Sequence, residues 1–187
     1  MGRLIYMLNT SVDGFVETRD HALDWSTNDE ELLAWFADRF RAISASLYGR
    51  RLYELMSAHW PTAGDDPAAT EATREFSRQW LRSTKIVFSS TLSSVDWNSR
   101  LVRGGDVGEV LAELRTEFDG DFEVAGPTLA SAFIRRGLVD RYEVVVHPVI
   151  LGGGTPYLPP LDERIRLRLT DTRTFHSGVT YRGYEVA

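Results

Sequence analysis

The sequence EVAGPTLASAFIRRG, from Glu123 to Gly137, decides the fold. Apolar residues up to Ala125 reach a Gly-Pro pair, and the spacing of apolar side chains then becomes that of a helix. Gly126 lets a ligand approach the backbone closely, and Pro127 suits the first helical turn, where its missing N–H needs no partner. Gly137 is a typical helix stop. The stretch therefore predicts a strand that turns directly into a helix.

The same alternation of strand and helix extends in both directions from this corner. The sequence predicts strands at 4–8, 45–49, 85–91, 121–126 and 142–151. Helices are predicted at 28–44, 50–60, 70–82, 105–118 and 127–136. An antiparallel pair, 166–175 and 179–187, closes the chain across His-Ser-Gly. We therefore expect an α/β fold with a mixed, mostly parallel sheet and helices on both faces. With no internal repeat or long linker, residues 1–187 are expected to form a single domain.

Composition excludes several classes of function. The chain has 187 residues, of which 43% are hydrophobic, and a formal net charge of -6. Basic residues are scattered, so we expect no nucleic-acid partner. There is no cysteine, hence no disulfide or thiolate metal site. The first ten residues do not resemble a signal peptide, and no apolar run approaches the ~20 residues of a membrane span. We therefore expect a cytoplasmic protein that does not bind membranes.

The corner at Gly126 is the first candidate site. In a parallel sheet the ligand crevice lies outside the carboxyl ends of the strands. The exposed N–H groups of Thr128, Leu129 and Ala130, with the helix dipole behind them, would form a seat for an anion. A plain connection between a strand and a helix would have the same local sequence, so both interpretations stay open.

Two other corners favour a phosphate ligand. Arg50 and Arg51 follow the second predicted strand at a helix start, where guanidinium groups can bind a phosphate through paired hydrogen bonds. Ser89, Ser90 and Thr91 end the third strand with three hydroxyls. The simpler interpretations are a solvated helix start for the arginines and turn chemistry for the hydroxyls. Three anion-compatible corners at one sheet edge nevertheless favour a phosphorylated ligand.

Other motifs do not support a site. LGGGTP, from Leu151 to Pro156, has neither the Rossmann spacing nor the Lys-Ser/Thr pair of a phosphate-binding P-loop. The four histidines are far apart in sequence and lack metal-ligand spacing, so no metal is expected. No Gly-x-Ser-x-Gly segment occurs, which leaves a serine hydrolase with little support.

Five segments form an ordered set along nearly the whole chain. They are SVDGFVE (11–17), LYGRRLYE (47–54), KIVFSSTL (85–92), WNSRLV (97–102) and VAGPTLASAFIRRGLVDRYEVVVHPVILGGGTPYLP (124–159). In this order they resemble the dihydrofolate reductase-like superfamily, in the branch related to the reductase domain of the bifunctional riboflavin-biosynthesis deaminase-reductase. The resemblance implies a three-layer α/β fold, a C-terminal antiparallel hairpin and NADPH as the hydride donor.

The resemblance also implies a set of cofactor-binding residues. Positions 49–51 and 89–91 would flank the adenosine phosphate, and positions 126–129 would hold the pyrophosphate. The residues so assigned are Gly49, Arg50, Arg51, Ser89, Ser90, Thr91, Gly126, Pro127, Thr128 and Leu129. An arginine pair favours the 2′-phosphorylated dinucleotide, because a site for NAD more often presents a carboxylate to the ribose.

Two acids are catalytic candidates. Asp13 lies in the segment that would cover the nicotinamide, where it could contact substrate or relay a proton, although Asp-Gly is also an ordinary turn. Glu31 lies close to the place of the acid that dihydrofolate reductases have on their first long helix. Its alternative role is in a capping box with Asn28.

The resulting hypothesis is an NADPH-dependent reductase that transfers hydride to a small pterin- or pyrimidine-like heterocycle. A role related to riboflavin biosynthesis, like that of 5-amino-6-(5-phosphoribosylamino)uracil reductase, would need a partner enzyme because the deaminase motifs are absent. The alternative is a protein that binds a nucleotide or antimetabolite without turnover. The resemblance also implies a homodimer, for which Tyr181 and Tyr184 in the last strand are candidate contacts.

Overall fold

The computed structural model describes residues 2–187 as ten strands and five helices. The strands are β1 (Leu4–Thr10), β2 (Phe15–Glu17), β3 (Ile43–Gly49), β4 (Lys85–Phe88), β5 (Ser99–Val102), β6 (Asp121–Ala125), β7 (Arg141–Val146), β8 (Thr155–Pro156), β9 (Leu167–Thr174) and β10 (Thr180–Val186). The helices are α1 (Glu30–Ala42), α2 (Arg50–Ala63), α3 (Glu71–Arg82), α4 (Val107–Glu117) and α5 (Pro127–Ile134).

Eight strands form one mixed sheet in the order β5-β4-β3-β6-β1-β7-β10-β9. The first six in this order run parallel, whereas β10 is antiparallel to both β7 and β9. The predicted mostly parallel sheet and closing hairpin are therefore confirmed. Strand β5 and the separate antiparallel pair of β2 and β8 were not predicted as strands, because four-, three- and two-residue strands are too short to show a period.

Helices cover both faces of the sheet. On one face, Leu111 and Leu114 of α4 and Phe133 of α5 pack against Leu4 and Phe122. On the other face, α1, α2 and α3 pack around a second apolar cluster. Its members include Leu33, Ala37, Met56, Phe76 and Trp80. The candidate site lies on this second face.

Three local expectations need correction. Helix α1 is capped by Asp29, which accepts from the Leu32 N–H at 2.8 Å, rather than by Asn28. Helix α2 continues past Pro61, which lies in its last turn, so the loop predicted to begin there starts later. Strand β7 ends at Val146, before Pro148, because proline has no N–H for the ladder.

The proposed contact through Tyr181 is wrong, because this side chain is 1% exposed. Its hydroxyl donates to Glu143 at 2.8 Å, and Arg141 donates to that hydroxyl at 3.1 Å. Tyr184 is half-buried in the same strand. The exposed element at this edge is β9, whose residues are all solvent-exposed.

Within residues 2–187, no helix has the length and apolarity needed to cross a bilayer.

Replacing Phe122 with alanine is expected to destabilise the fold by ~3–5 kcal/mol, the range typical of a large cavity in a packed core. Phe122 is 0% exposed. The control is Ile150→Ala, at a side chain that is 72% exposed, where we expect a change within about 0.5 kcal/mol. Urea unfolding monitored by circular dichroism measures both. Equal unfolding midpoints for the two variants would contradict this placement of the core.

Candidate active site

A cleft of about 1140 Å³ lies between the sheet and the helices on its second face. Its floor includes Met7 of β1, Tyr48 of β3 and Glu123 of β6. Its walls come from α1, α2, the start of α5 and strand β2, with apolar side chains such as Phe36 and Trp60. The cleft therefore combines an apolar interior with a rim at the carboxyl ends of the strands.

The register of the sheet aligns three predicted corners at one edge of the sheet, and two of them line the cleft. Tyr48 of β3 pairs with Ala125 of β6, and Gly49 pairs with Phe88 at the end of β4. The strands are parallel, so the segments that follow them leave the sheet side by side. Of the predicted cofactor residues, seven line the cleft: Gly49, Arg50, Arg51, Gly126, Pro127, Thr128 and Leu129.

Helices α2 and α5 begin differently from the other three helices. Each starts at a glycine N-cap without a side-chain hydrogen bond, and each has no acid in its first turn. Helices α1, α3 and α4 have Asp or Thr caps that accept backbone hydrogen bonds, together with first-turn acids. Among the five helices of residues 2–187, only α2 and α5 therefore combine uncapped backbone N–H groups with a first turn that has no carboxylate, which is the arrangement that binds anions.

The two helix starts abut one another. A Cβ at Gly49 would lie 3.7 Å from Leu129 Cβ, and a Cβ at Gly126 would lie 3.8 Å from Leu52. Gly126 also has φ +97°, in the region that favours glycine. One assignment needs correction, since the Ala130 N–H donates to the Gly126 carbonyl at 3.0 Å and is not free. The anion seat at α5 is reduced to Thr128 and Leu129.

The two arginines have different partners. Arg51 is held by Glu17, with Nη2 2.5 Å and Nη1 3.1 Å from its two carboxylate oxygens. His21 and Thr155 also contact Glu17, at 2.8 and 2.5 Å. Burial alone would raise the pKa of Glu17, but hydrogen bonds from Thr155, Arg51 and His21 hold it below its ordinary value. Glu17 is therefore ionised and neutralises Arg51.

Arg50 is less constrained than Arg51. Its only side-chain partner within residues 2–187 is Glu54, at 3.4 Å, and both side chains are about half exposed, at 53% and 46%. An exposed ion pair of this length contributes little energy, ~0–1 kcal/mol. Arg50 is consequently the arginine that a phosphate can recruit at low cost.

Five predicted site residues lie outside the cleft lining. They are Asp13, Glu31, Ser89, Ser90 and Thr91. The Ser89 hydroxyl accepts from the Thr91 and Leu92 N–H groups at 3.2 and 3.1 Å, so it stabilises the turn after β4. Ser90 and Thr91 are solvent-exposed beside it. A contact of these hydroxyls with a dinucleotide stays a prediction.

Asp13 connects two loops at the mouth of the cleft. Its carboxylate accepts from the N–H groups of Leu151 and Gly152, at 3.1 and 2.8 Å. A hydrogen bond with Ser11 is the main cause that lowers the pKa of Asp13, and these two amides add to it. Asp13 therefore holds the glycine-rich loop in place, and a role in catalysis stays a prediction.

Glu31 contacts the closing hairpin. Its carboxylate accepts from the His176 N–H at 3.0 Å, the His176 ring at 2.9 Å and Arg173 at 2.9 Å. The backbone hydrogen bond from His176 is the largest cause that lowers the pKa of Glu31 to about 2, and the two side chains add to it. Glu31 thus connects α1 to the β9–β10 turn, and it is not the capping-box partner of Asn28.

Sequence reasoning missed an acid in the cleft, Glu123. It lies on β6 beside Ser46 of β3 and Ile5 of β1, and it is 6% exposed. Within the described chain its carboxyl group hydrogen bonds to no other residue. Burial raises its pKa to about 7, with repulsion from Glu143 adding to burial and attraction to Arg39 opposing it. The signal was an acid inside an apolar strand, in the stretch DFEVA.

Asn9 of β1 is a second unsatisfied polar group at the cleft. Its Oδ1 atom is buried without a hydrogen-bond partner in residues 2–187, and the residue lines the cleft. Buried polar atoms normally have partners, so such an atom points to a ligand or ordered water.

The eight-stranded sheet with helices on both faces, the closing hairpin and the cleft above the strand ends define a dihydrofolate reductase-like α/β fold. Enterococcus faecalis dihydrofolate reductase, solved in complex with NADP(H), superposes with a TM-score of 0.66 at 16% identity over 99% of this chain and 96% of that chain. Acinetobacter baumannii RibD superposes with a TM-score of 0.71 at 13% identity, covering all of this chain and 58% of that chain.

Residues 3–181 match the RibD C-terminal domain family, and the chain belongs to that family. The uncharacterized protein YyaP of Bacillus subtilis (strain 168) is 32% identical over 178 residues, which cover 95% of this chain and 91% of YyaP. The expected superfamily and branch are therefore confirmed.

The pKa of Glu123 predicts a pH-dependent stability. The pKa is about 7 in the folded chain against 4.5 ordinarily, so between these values the folded state holds a proton that the unfolded state releases. The higher proton affinity of Glu123 in the folded state stabilises that state fully below pH 4.5, and this stabilisation is lost as the pH rises through 7. Relative to Glu123→Gln, the wild-type chain should lose on the order of 3 kcal/mol over that interval. Denaturant unfolding of both proteins at several pH values measures the difference, and a difference that does not change with pH would contradict a buried neutral acid.

Proposed function

We propose that the protein is an NADPH-dependent reductase that transfers hydride to a small pterin- or pyrimidine-like heterocycle. The observation that supports this most is the pair of abutting, uncapped helix starts at the rim of one cleft. They offer two sets of backbone N–H groups side by side, which suits a ligand with several phosphates. NADPH, when bound, would supply the hydride, and the chain would supply position and electrostatics.

The residues at the rim fit a dinucleotide. Thr128 and Leu129 of α5 would hold the pyrophosphate through their N–H groups. Gly126 keeps the space between the two helix starts open, since a Cβ there would contact Leu52. Arg50 would bind the 2′-phosphate, because Arg51 is already neutralised by Glu17. In this proposal α5 would hold the centre of the cofactor and α2 its adenosine end.

The interior of the cleft fits a flat heterocycle. Leu33 and Phe36 give it apolar walls. Asn9 Oδ1 and the Glu123 carboxyl group give it polar atoms that have no hydrogen-bond partner within residues 2–187. Apolar walls with a few placed polar groups are typical of small-molecule sites. A planar ring could bind between helix α1 and the sheet while its edge meets Glu123.

Family membership supports a reductase role related to riboflavin biosynthesis. The family is that of RibD C-terminal domains, and the chain covers 58% of Acinetobacter baumannii RibD. A role like that of 5-amino-6-(5-phosphoribosylamino)uracil reductase is the finer form of this proposal. Because that reaction needs a deaminated substrate, a separate deaminase would have to supply it.

A second candidate is a protein that binds a nucleotide or antimetabolite without turnover. The observation that favours it is the position of Glu31, which is engaged by the β9–β10 turn instead of the cleft. Tight binding of NADPH with no substrate-dependent loss of its absorbance, over a panel of pterins and pyrimidines, would support this alternative over the reductase.

We also retain the homodimer as a proposal, now with β9 rather than Tyr181 as its contact. Every residue of β9 is exposed, and its outer edge has no strand partner in the described chain. An exposed edge strand can pair with a second copy. Sedimentation of the purified chain measures its oligomeric state.

Replacing Arg50 with alanine is expected to weaken NADPH binding by roughly 10–100-fold, the loss of one hydrogen bond to a charged group. NADH lacks the 2′-phosphate, so its affinity should change little. Isothermal titration calorimetry with both dinucleotides measures the two effects. The control is Arg135→Ala, an exposed arginine at the far end of α5. Equal losses for NADH and NADPH would contradict the assignment, and no binding of either by the wild-type chain would refute the cofactor site.

Alanine substitutions at two glycines, one at each end of α5, distinguish an effect on NADPH binding from an effect of backbone strain. Gly126 and Gly137 have φ values of +97° and +64°. Alanine at Gly137 should destabilise the fold by about 1 kcal/mol, and alanine at Gly126, whose ψ of 125° lies outside the left-handed helical region, by roughly 1–3 kcal/mol. Only Gly126→Ala fills space between the helix starts, and we expect it alone to weaken NADPH binding, by tenfold or more. Thermal unfolding and NADPH titration of both variants test this. Similar affinities in the two variants would move the pyrophosphate away from α5.

A further inference from the structure

No contact of the Glu123 carboxyl group explains why an acid lies at this position of the fold. It is buried on the central strand β6, it lines the cleft, and it makes no hydrogen bond to any residue from 2 to 187. Its neighbour across the register, Ser46, has a buried hydroxyl oxygen with no hydrogen-bond partner within residues 2–187. An isolated carboxyl group in such a place destabilises the folded state, so a structural role alone does not account for it.

The other acids of the cleft lining have partners or are exposed. Glu17 is ionised and bound by Arg51, His21 and Thr155. Glu54 lies on the outer surface of α2, where its side chain is 46% exposed beside Arg50. Among the carboxyl groups that line the cleft, Glu123 is therefore the one that is both buried and free to bond with a ligand.

Neighbouring charged groups do not neutralise Glu123. Arg39 of α1 is the nearest favourable charge, but its guanidinium is bound to Glu143 of β7. Glu143 also accepts from Arg141 at 2.5 Å and from Tyr181 of β10. Tyr48 of β3 stays protonated because burial raises its pKa strongly, with Glu123 adding to the effect. His59 of α2 is a further titratable group that lines the cleft. Burial and the repulsion from Glu143 outweigh the attraction to Arg39 and raise the pKa of Glu123 to about 7. A carboxyl group with this pKa suits a general acid at neutral pH.

We propose that Glu123 is the proton donor of the cleft, acting on a ring nitrogen of a heterocycle with a reducible C=N bond. This inference rests on the proposed reductase function. The substrate carbon would receive hydride from the reduced dinucleotide, forming a C–H bond as the C=N π pair moves to nitrogen. The nitrogen would take the Glu123 proton, forming N–H as the carboxyl O–H breaks. The dinucleotide is oxidised by two electrons, the substrate is reduced by two, and water returns the proton to Glu123.

The location of the acid sets the orientation of the substrate. Glu123 is on the sheet, whereas Glu31 of α1 is bound to the β9–β10 turn and does not line the cleft. The ring nitrogen that accepts the proton must therefore point to the floor formed by β3, β6 and β1. A heterocycle alkylated at that nitrogen is already an iminium cation and needs no proton, so its reduction should not depend on Glu123.

The test uses 6-methyl-7,8-dihydropterin as the probe substrate, with Glu123→Gln, Glu123→Asp and the control Glu113→Gln. Glu113 is an exposed acid of α4, on the other face of the sheet. Tryptophan fluorescence measures NADPH affinity, and loss of NADPH absorbance in a single turnover measures the chemical step. Difference infrared spectroscopy of wild type against Glu123→Gln follows the protonated carboxyl band with pH, without any ligand.

We expect a carboxyl band that titrates near pH 7 and is absent in Glu123→Gln. The wild-type single-turnover rate should fall tenfold for each pH step of one above that value, because only the protonated acid acts. Glu123→Gln should lower the rate by ~10²-fold or more, the usual contribution of a general acid. Glu123→Asp should keep part of the wild-type rate, and this remaining rate should still depend on pH. NADPH affinity should be unchanged in every variant, which also shows that each variant is folded.

Three results would overturn the proposal. A wild-type rate and pH profile in Glu123→Gln would exclude Glu123 as the donor. NADPH binding without reduction of the dihydropterin by the wild-type chain would refute the substrate class while the cofactor site stands. Failure of the wild-type chain to bind NADPH at all would refute the proposed function and this inference with it.

Discussion

The parallel pairing of β3 with β6 is the constraint on which the candidate site depends. Tyr48 lies opposite Ala125 in that register, so the two strands end at the same level and release their chains in the same direction. Each chain then starts a helix with the smallest possible residue at its N-cap. A shift of the register by two residues, about 7 Å along the strand, would separate the helix starts and leave two ordinary surface corners.

Electrostatics in the cleft follow from how each charge is partnered. The rim has free N–H groups and one loosely held arginine, so it favours anions, whereas the chain as a whole has a net charge of -6. The floor holds an acid without a counter-ion, because the nearby Arg39 is bound to Glu143. The site therefore has two electrostatic regions, one that attracts phosphate and one that keeps a carboxyl group neutral.

Much of the fold could be predicted from sequence because its strands and helices are separated by clear signals. Gly126-Pro127 marks a strand-to-helix corner, and α3 spans Glu71–Arg82, within one residue of the predicted helix at 70–82. Seven of the ten predicted cofactor residues share one cleft because sheet topology brings strand ends together. Asp29 was missed as a cap because three adjacent polar residues, Asn28 to Glu30, could each begin that helix. Glu123 was missed because its isolation is a tertiary property: no local pattern shows whether a buried acid will find a partner.

The ion pair between Glu17 and Arg51 joins two parts of the molecule that are far apart in sequence. Glu17 ends β2, which pairs with β8 at the mouth, while Arg51 lies in the first turn of α2. A phosphate that drew Arg51 away would leave a carboxylate at 10% side-chain exposure with only His21 and Thr155 to stabilise it. One carboxylate thus ties the start of α2 to the β2–β8 pair, and a ligand that displaced Arg51 would loosen that link.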